Sequence, residues 1–455
     1  MSIFKACDIR GVYGDDLTEA GMEDVGRGFA SIMRRRNAAP TIVVGGDVRR
    51  STVSLKAALV AGLTQCGARV VDVGVVPTPV LYFAFRMLHG NGCAMVTASH
   101  NPPKFNGLKL CFSQMPVTMA EIQELRRTVE AGEFLPGEGK AETFDVLPEY
   151  ETWLAAQFTQ PIPLKVVADC GGGSWSEIAP RAMRRAAVGV APLNCEIDPD
   201  LTLRDPNPLP ENVTGLRQAV VAEGAAYGAA FDADGDRVLF VDERGNVVPS
   251  DVAGAVLARW LLAASPGGKV VYEVNCSQAL ADAVEQAGGK PLMERAGHAF
   301  MKRRVLEENA LLGAEVSGHF FFGQVGGADD GLYSALMMGR LLDETGERLS
   351  ELVAAVPHYH STSVVRLPMN AGRAAELVEA IAAHAGGQAS RLDGVRVQYN
   401  AGWALARASV TEPVISMRFE ARRREHLPEI LRRFLGFNPP VLAEVEKILA
   451  QNDQL

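Results

Sequence analysis

The sequence lacks the features of a membrane protein or a disulfide-stabilised protein. Its most apolar helical stretch, 252–264, is short and is interrupted by Arg259, and the N-terminal residues contain no apolar run of signal-peptide length. The seven cysteines are scattered, odd in number and without a Cys-x-x-Cys pair. We therefore expect reduced thiols, no membrane association and a cytoplasmic location.

A net positive charge is also missing. The chain has 45 Lys and Arg against 54 Asp and Glu, which gives a formal net charge of −9. Sequence-independent binding to nucleic acid requires a basic face, so we expect no nucleic-acid partner. Hydrophobic residues make up 47% and charged residues 22%, a composition typical of a globular chain with several cores rather than of a disordered one.

The 455 residues are enough for about three or four domains. Three apolar, β-branched runs, 41–44, 165–168 and 269–272, each lead into a turn and are separated by helical patterns. Such runs are typical of strands buried on both faces, so the pattern predicts three α/β units. From residue 361 the pattern changes to a strand, a helix over 371–384, strands over 395–399 and 414–421, and terminal helices. This predicts a smaller α+β domain.

Turn-rich segments mark the joins between these units. They lie at 136–140, 242–246 and 357–360. The predicted domains are 1–140, 141–245, 246–357 and 358–455.

The segment 97–103 (TASHNPP) follows a buried strand directly. Ser99 and His100 are therefore predicted at the carboxyl end of a strand, where α/β sheets place their ligands, and the two prolines bar a helix there. A serine beside a histidine is a candidate nucleophile, although a bare Ser-His pair is more often a turn that closes a strand. Lys109 follows within ten residues and supplies a cation near the same loop.

Three aspartates alternate in a tight turn after another apolar run: Asp232, Asp234 and Asp236. Their oxygens can converge on one hard cation, Mg²⁺ or Ca²⁺ rather than Zn²⁺, and without a cation they repel one another. An EF-hand is an alternative because Glu243 falls at the twelfth position. However, Arg237 stands at the sixth, where that loop needs glycine. We favour a metal site over an EF-hand or a solvated acidic turn.

Two further segments carry weaker signals. In an extended chain Glu315, Ser317 and His319 point to one face, which suits sugar hydroxyls, and a half-exposed strand explains them equally well. Arg407, placed shortly before Pro413 in a hydroxyl-rich turn, suits a phosphate, although such turns are common.

Two other candidates are better explained structurally. His298 lies in a segment (295–298) that reads as a ligand loop or, preferably, a helix cap. The glycines 171–173 match neither the dinucleotide fingerprint nor the P-loop, so a turn is favoured.

Taken in chain order, these segments resemble the α-D-phosphohexomutase superfamily, and most of all its bacterial phosphomannomutase/phosphoglucomutase group. The resemblance extends over essentially the whole chain. It rests on the following segments: 4–11 (FKACDIRG), 97–103 (TASHNPP), 232–237 (DADGDR), 297–298 (GH), 315–319 (EVSGH) and 407–413 (RASVTEP).

The resemblance implies a fold and a set of residue roles. The implied fold has four domains around a central cleft, the first three of related α/β topology with mixed sheets and the fourth a smaller α+β domain. Ser99 would be the phosphoserine, and its phosphate would hold Mg²⁺ together with Asp232, Asp234 and Asp236. The implied charge-stabilising or proton-transfer residues are Arg10, His100, Lys109, Arg237 and His298. The implied sugar-reading residues are Glu315, Ser317 and His319, and those for the phosphate not being transferred are Arg407, Ser409 and Thr411.

The implied activity is the interconversion of hexose 1-phosphate and hexose 6-phosphate, with mannose or glucose as the hexose, through a 1,6-bisphosphate. The implied partners are these phosphosugars. Phosphoglucosamine mutase is an alternative, which is disfavoured by Thr97 and by the residues at 315–317 (EVS). Two more distant alternatives are a phosphatase with an aspartate nucleophile at Asp232 and a calcium-binding module over 232–243.

The sequence departs from the family pattern mainly on the ligand side. Cys7 stands where an aromatic residue is common, Asn275 where a basic residue often occurs, and Val410 where asparagine is common. The implied nucleophile and all three metal carboxylates are present, so the departures concern substrate affinity and preference rather than activity.

Overall fold

The computed structural model describes residues 3–186, 188–385, 389–408, 413–452 and 454. The chain divides into two compact units. The first contains Met1–Ser250 and Ser317–Leu352, and the second contains Asp251–Val316 and Val353–Leu455. The four predicted domain limits stay a prediction.

The first sheet of the first unit is mixed and has six strands. Their spatial order is Ile9–Val12, Phe105–Cys111, Gly92–Val96, Thr41–Gly46, Arg69–Val75 and Lys140–Thr143. The two pairings that involve Phe105–Cys111 are antiparallel and the other three are parallel. The accompanying helices are Glu19–Arg36, Thr52–Gln65, Thr78–Met87 and Met119–Ala131. Every residue of Gly92–Val96 is buried, as expected for a strand covered on both faces.

The second sheet of the first unit has five strands. Their spatial order is Val247–Val248, Val238–Asp242, Tyr227–Phe231, Lys165–Asp169 and Gly189–Leu193. The last three are parallel to one another, and the first two pairings are antiparallel. Its helices are Leu147–Gln157, Ile178–Arg185 and Thr214–Glu223, with a 3₁₀ turn at Pro210–Asn212. The rest of the unit consists of the antiparallel strands Phe320–Phe322 and Ala328–Asp329, the 3₁₀ turn Gly323–Val325 and the helix Gly331–Thr345.

The segment Asp251–Val316 of the second unit contains three parallel strands. In spatial order these are Lys290–Glu294, Lys269–Glu273 and Leu312–Ala314. The helices of this segment are Ser250–Ala264, Gln278–Gln286 and His298–Glu308, and the boundary after Leu352 falls within a further helix, Leu349–Ala354.

The C-terminal part of the second unit is an antiparallel sheet with helices. The strands are His360–Ser361, Val365–Pro368, Ala389–Ser390, Val395–Tyr399, Gly402–Ala408 and Val414–Ala421. The helices are Ala371–Ala385, Leu427–Leu435 and Pro439–Gln451, with a 3₁₀ turn at Arg424–His426. Sheet and helices enclose one apolar core that includes Ile381, Phe419 and Phe434. The mixed sheets and this smaller domain confirm the predicted fold class.

None of the helices in the described ranges combines the length and apolar character that a membrane span requires.

Two glycines allow the first two helices of the chain to pack with their backbones in contact. A Cβ on Gly26, in Glu19–Arg36, would lie 2.5 Å from Leu59 O, and a Cβ on Gly62, in Thr52–Gln65, would lie 2.0 Å from Glu23 O. Real Cβ contacts are longer than this, so a side chain at either position would force the helices apart.

We predict that Gly62→Ala destabilises the protein by about 1–3 kcal/mol, because overpacking a tight contact outweighs the better helix propensity of alanine. Gly215→Ala is the matched control. It lies in the helix Thr214–Glu223, where an added Cβ would meet nothing within 4 Å, so it should leave stability unchanged or raise it. Urea unfolding followed by circular dichroism measures both. Equal shifts in the two variants would contradict the proposed backbone contact.

Candidate active site

Ser99 lies in the loop that follows the strand Gly92–Val96, as the sequence predicts. It is 2% exposed and adopts a left-handed backbone conformation with φ of +49°, which few residues other than glycine adopt. Its N–H donates to Thr97 Oγ1 at 2.8 Å, and its Oγ donates to Asp232 Oδ2 at 2.9 Å. The serine hydroxyl is therefore directed at the aspartate turn.

A buried arginine holds this loop by its carbonyl groups. Arg49 Nη2 donates to Ser99 O at 2.5 Å and to Asn101 O at 2.6 Å, and its Nε donates to Asp47 Oδ2 at 3.0 Å. Asp47 Oδ2 also accepts from Thr97 Oγ1 at 2.7 Å. The Asp47–Arg49 ion pair thus holds the serine loop in its unusual conformation through the buried carbonyl side of the loop.

Asp47 and Arg49 are not among the site residues predicted from the sequence. Both follow directly after the strand Thr41–Gly46, which pairs in parallel with Gly92–Val96. The carboxyl ends of parallel neighbours lie at the same edge of a sheet, so a charged pair at this strand end was the available signal.

The aspartate turn connects the strands Tyr227–Phe231 and Val238–Asp242. Asp232, Asp234 and Asp236 are buried, and each offers a carboxylate oxygen within 4.8 Å of the others. Among the described residues, Asp234 Oδ1 is buried without a hydrogen-bond partner. Hard oxygen donors in this arrangement fit a cation such as Mg²⁺.

The EF-hand alternative does not fit this geometry. Strands rather than helices flank the turn. Glu243 accepts hydrogen bonds from Ser350 Oγ at 2.5 Å and Ser350 N at 3.2 Å instead of joining the cluster.

Lys109 inserts a positive charge between two of the aspartates. It lies on the strand Phe105–Cys111, and its Nζ donates to Asp234 Oδ2 at 2.7 Å and to Asp236 Oδ2 at 2.5 Å. Burial opposes the charged form, but the neighbouring carboxylates raise the pKa of Lys109 above its ordinary value. The ammonium group remains charged.

The three carboxyl groups differ in acidity. Burial, followed by repulsion from Asp234 and Asp236, raises the pKa of Asp232 to about 7. Burial acts in the same direction on the other two, yet the charge of Lys109 keeps the pKa of both Asp234 and Asp236 below the ordinary value. The carboxylate nearest Ser99 is therefore the most proton-accepting of the three.

Further positive charge surrounds the serine loop. Arg10 Nη1 donates to Asn101 Oδ1 at 2.8 Å, and Arg237 Nε lies 3.9 Å from Asp232 Oδ2. His100 Nδ1 lies 3.3 Å from Ser99 Oγ. The charge of Arg237, then burial, then the charge of Arg10 hold the pKa of His100 well below its ordinary value, so this imidazole is neutral at pH 7.

The prediction of an extended chain over 315–319 is wrong, because these residues form a turn. Gly318 has φ of +92°, and a Cβ there would lie 2.8 Å from Val238 O. This close approach of two backbones bends the chain. In the turn, Ser317 Oγ lies 2.9 Å from His319 Nδ1, and His319 Nε2 lies 3.2 Å from Asp236 Oδ1.

The remaining described candidates belong to the second unit. Arg407 Nη1 pairs with Asp393 Oδ2 at 3.2 Å, and the same oxygen accepts from Ala296 N at 3.2 Å. Asp393 thereby joins Arg407 to the loop that precedes His298. The helix His298–Glu308 begins at that histidine, after Gly297 with φ of +124°, so the predicted helix start is present.

Glu315 is buried in the second unit beside another carboxyl group. Burial, followed by the charge of Glu315, raises the pKa of Glu273 to about 7. Ser409 and Thr411 lie outside the described residues.

Four family models match the chain in consecutive order. They describe phosphoglucomutase/phosphomannomutase alpha/beta/alpha domain I (residues 1–136), domain II (149–245), domain III (249–359) and the C-terminal domain (365–436). Together they account for most of the 455 residues.

The similarity to individual proteins is equally extensive. The phosphomannomutase/phosphoglucomutase of Pseudomonas aeruginosa is 38% identical over 434 residues, which cover 94% of each chain. A protein described as a probable phosphoglucosamine mutase, from Methanocella arvoryzae, is 34% identical over 432 residues, covering 92% of this chain and 94% of its own.

The fold has a counterpart among solved structures. The crystal structure of a phosphoglucomutase/phosphomannomutase family protein from Burkholderia thailandensis superimposes with a TM-score of 0.89 at 35% identity, covering 96% of this chain and 98% of its own. The chain belongs to the phosphoglucomutase/phosphomannomutase family.

Proposed function

We propose that this chain is a phosphohexomutase that interconverts the 1-phosphates and 6-phosphates of mannose and glucose, with Ser99 as its phosphoryl carrier. The observation that supports this assignment best is the Ser99 hydroxyl, 2.9 Å from Asp232 Oδ2 and next to three buried carboxylates and Lys109. A nucleophile, a cation site and fixed positive charge are the parts that phosphoryl transfer requires.

The reaction is a cycle with no net consumption of phosphate. Phosphorylated Ser99 gives its phosphoryl group to the free hydroxyl of a hexose monophosphate, which yields the 1,6-bisphosphate and free Ser99. The bisphosphate then reverses its orientation, and Ser99 Oγ attacks its other phosphate. A hexose monophosphate leaves, and the phosphoserine is restored. The enzyme is thus an isomerase acting by intramolecular phosphotransfer.

His100 lies beside the Ser99 hydroxyl and would orient it during this attack. Its imidazole is neutral, and Nδ1 lies 3.3 Å from Ser99 Oγ. Its lowered pKa makes His100 a weak proton acceptor, and the hydrogen bond from Ser99 Oγ to Asp232 Oδ2 marks the route for the proton instead.

The cations around the loop stabilise charge on the transferring group. Arg10, Lys109 and Arg237 surround the serine and aspartate loops. Fixed positive groups of this kind lower the barrier because they need no reorganisation as the phosphoryl charge moves.

The aspartate cluster is the proposed Mg²⁺ site, completed by the phosphate on Ser99. A bound Mg²⁺ would neutralise charge on the phosphoryl oxygens. The buried Asp234 Oδ1 and the two other carboxylates supply the oxygen ligands that this ion prefers.

The substrate-side residues are assigned by chemistry. Glu315, Ser317 and His319 would bind the sugar hydroxyls. Arg407, with Ser409 and Thr411, would hold the phosphate that is not being transferred, since guanidinium pairs well with phosphate. The ion pair of Arg407 with Asp393 fixes the position of the guanidinium group.

We place the enzyme in the cytoplasm, in four domains with the limits predicted from the sequence. We assign it neither nucleic acid nor membrane as a partner.

Ser99→Ala should abolish turnover of glucose 1-phosphate, because no other group would carry the phosphoryl group between the two positions. Turnover is measured in a coupled assay with a trace of glucose 1,6-bisphosphate. Ser113→Ala, a change on an exposed loop, is the control and should remain active. Phosphopeptide mapping of the unaltered protein should find phosphate on Ser99. Phosphate on Asp232 would support an aspartate-nucleophile phosphatase instead.

Asp234→Asn should weaken Mg²⁺ binding by roughly tenfold or more, because it removes a charged ligand of a buried site. Titration calorimetry with MgCl₂ measures the affinity directly, without reliance on turnover. Asp242→Asn alters another buried aspartate of the same sheet and should bind Mg²⁺ normally. Unchanged affinity in Asp234→Asn would remove the aspartate turn as the metal site.

Mannose 1-phosphate and glucose 1-phosphate should both be turned over with a higher kcat/KM than glucosamine 1-phosphate. The three are compared side by side at saturating Mg²⁺ with the matching bisphosphate as activator. A clear preference for glucosamine 1-phosphate would assign the chain to phosphoglucosamine mutase and leave the role of Ser99 intact.

A further inference from the structure

The second sheet carries two cysteines that the proposed mutase reaction does not use. Cys170 follows the strand Lys165–Asp169, and Cys195 lies just beyond the neighbouring parallel strand Gly189–Leu193. Their Sγ atoms are 3.0 Å apart. A small closure would bring them to the bond length of a disulfide, about 2.05 Å.

The ends of these two strands are fixed relative to each other. Asp169 Oδ1 accepts from Gly171 N and from Asn194 Nδ2, both at 3.0 Å. Its other oxygen pairs with Arg204 Nε at 3.0 Å. One buried carboxylate therefore holds the residues next to both cysteines. These hydrogen bonds keep the two sulfur atoms close to each other.

The two thiols differ in access. Cys170 is buried, whereas Cys195 is partly exposed and lines a cleft of about 650 Å³ together with Arg184, Asn194 and Glu196. The cleft gives a small reagent access to Cys195 but leaves Cys170 behind it.

We propose that Cys170 and Cys195 form a redox-active dithiol that a low-molecular-weight disulfide oxidises to an intramolecular disulfide. In the first step Cys195 Sγ, as thiolate, attacks one sulfur of the reagent; a mixed disulfide forms, the reagent's S–S bond breaks and one thiolate leaves. In the second step Cys170 loses its proton and attacks Cys195 Sγ, which releases the second thiolate. The protein loses two electrons and two protons, and the reagent is reduced to two thiols.

The electrostatics suit these separate roles. The hydrogen bond between the two sulfur atoms lowers the pKa of Cys195, while burial raises the pKa of Cys170 well above its ordinary value. An accessible thiol with a lowered pKa is the better attacking group, and a buried neighbour resolves the mixed disulfide.

The dithiol is linked directly to the aspartate turn. Cys170 O accepts from Gly173 N at 2.9 Å, and the next residue, Ser174, donates its N–H to Ala233 O at 2.8 Å. Trp175 Nε1 donates to Gly235 O at 2.7 Å. A Cβ on Gly173 would lie 2.7 Å from Ala233 O, so the two backbones are already packed as closely as they can be.

Closure of the disulfide should therefore displace the main chain that carries Asp232, Asp234 and Asp236. We expect turnover to fall by roughly tenfold, because small misplacements of reacting groups cost about that much or more. This effect on turnover rests on the proposed mutase function, whereas formation of the disulfide does not.

The test treats the full-length protein with oxidised glutathione, removes the reagent and divides the sample. Thiol titration under denaturing conditions should show the loss of two of the seven thiols, with a mass decrease of about 2 Da for the two hydrogens. Peptide mapping should join Cys170 to Cys195. Mutase activity should fall in the same sample and return with dithiothreitol. Cys195→Ser should resist both changes, and Cys66→Ser, at the end of a helix beside the first sheet, should undergo both.

The outcomes separate the claims. If no Cys170–Cys195 peptide forms, or if only a stable glutathione adduct on Cys195 accumulates, the dithiol proposal is overturned. If the disulfide forms and mutase activity is unchanged, the link to the aspartate turn is overturned. If the untreated protein has no mutase activity, the proposed function fails while the thiol measurements still decide the redox chemistry.

Discussion

The contact of one buried ammonium group with two buried carboxylates is the interaction on which the active site depends. Lys109 belongs to the first sheet, and Asp234 and Asp236 belong to the turn of the second. Removing one partner of such a buried pair typically costs about 3–5 kcal/mol, because the other charge is left uncompensated. The serine loop and the aspartate turn are therefore held together by charge. One ammonium among three carboxylates still leaves an excess of negative charge, and this excess favours a cation beside Ser99.

The net charge of −9 does not describe the local field of this site. Arg237, Arg10 and Lys109 all act on His100, and together with burial they keep its imidazole neutral. Positive charge is thus concentrated on the His100 side of the serine loop, while negative charge is concentrated at the aspartate turn. A protein with a net negative charge can bind anions in this way, because clefts focus the field of their own residues over that of distant surface charge.

The sequence predicted what depends on neighbouring residues and missed what depends on distant ones. Strands were predicted at 395–399 and 414–421, and the structure has Val395–Tyr399 and Val414–Ala421, because alternation and turn residues mark such strands locally. The serine and aspartate loops were placed at strand ends for the same reason. Three features form only when separate segments of the chain meet. They are the hydrogen bonds from Arg49 to the serine loop, the Cys170–Cys195 pair, and the turn at Gly318, which lies against Val238 O. Strand ends indicate where such residues lie, but only the folded chain shows which of them meet.

The two loops that meet at Ser99 are supported differently, and this difference limits where activity can be modulated. The serine loop is fixed by Arg49, which lies in the interior and donates to the carbonyl oxygens of Ser99 and Asn101. The aspartate turn instead accepts hydrogen bonds from Ser174 and Trp175, which follow Cys170 and the glycines 171–173. A chemical change in the second sheet would reach the aspartate turn through this connection and leave the serine loop in position, so the proposed metal side of the site would be its adjustable half.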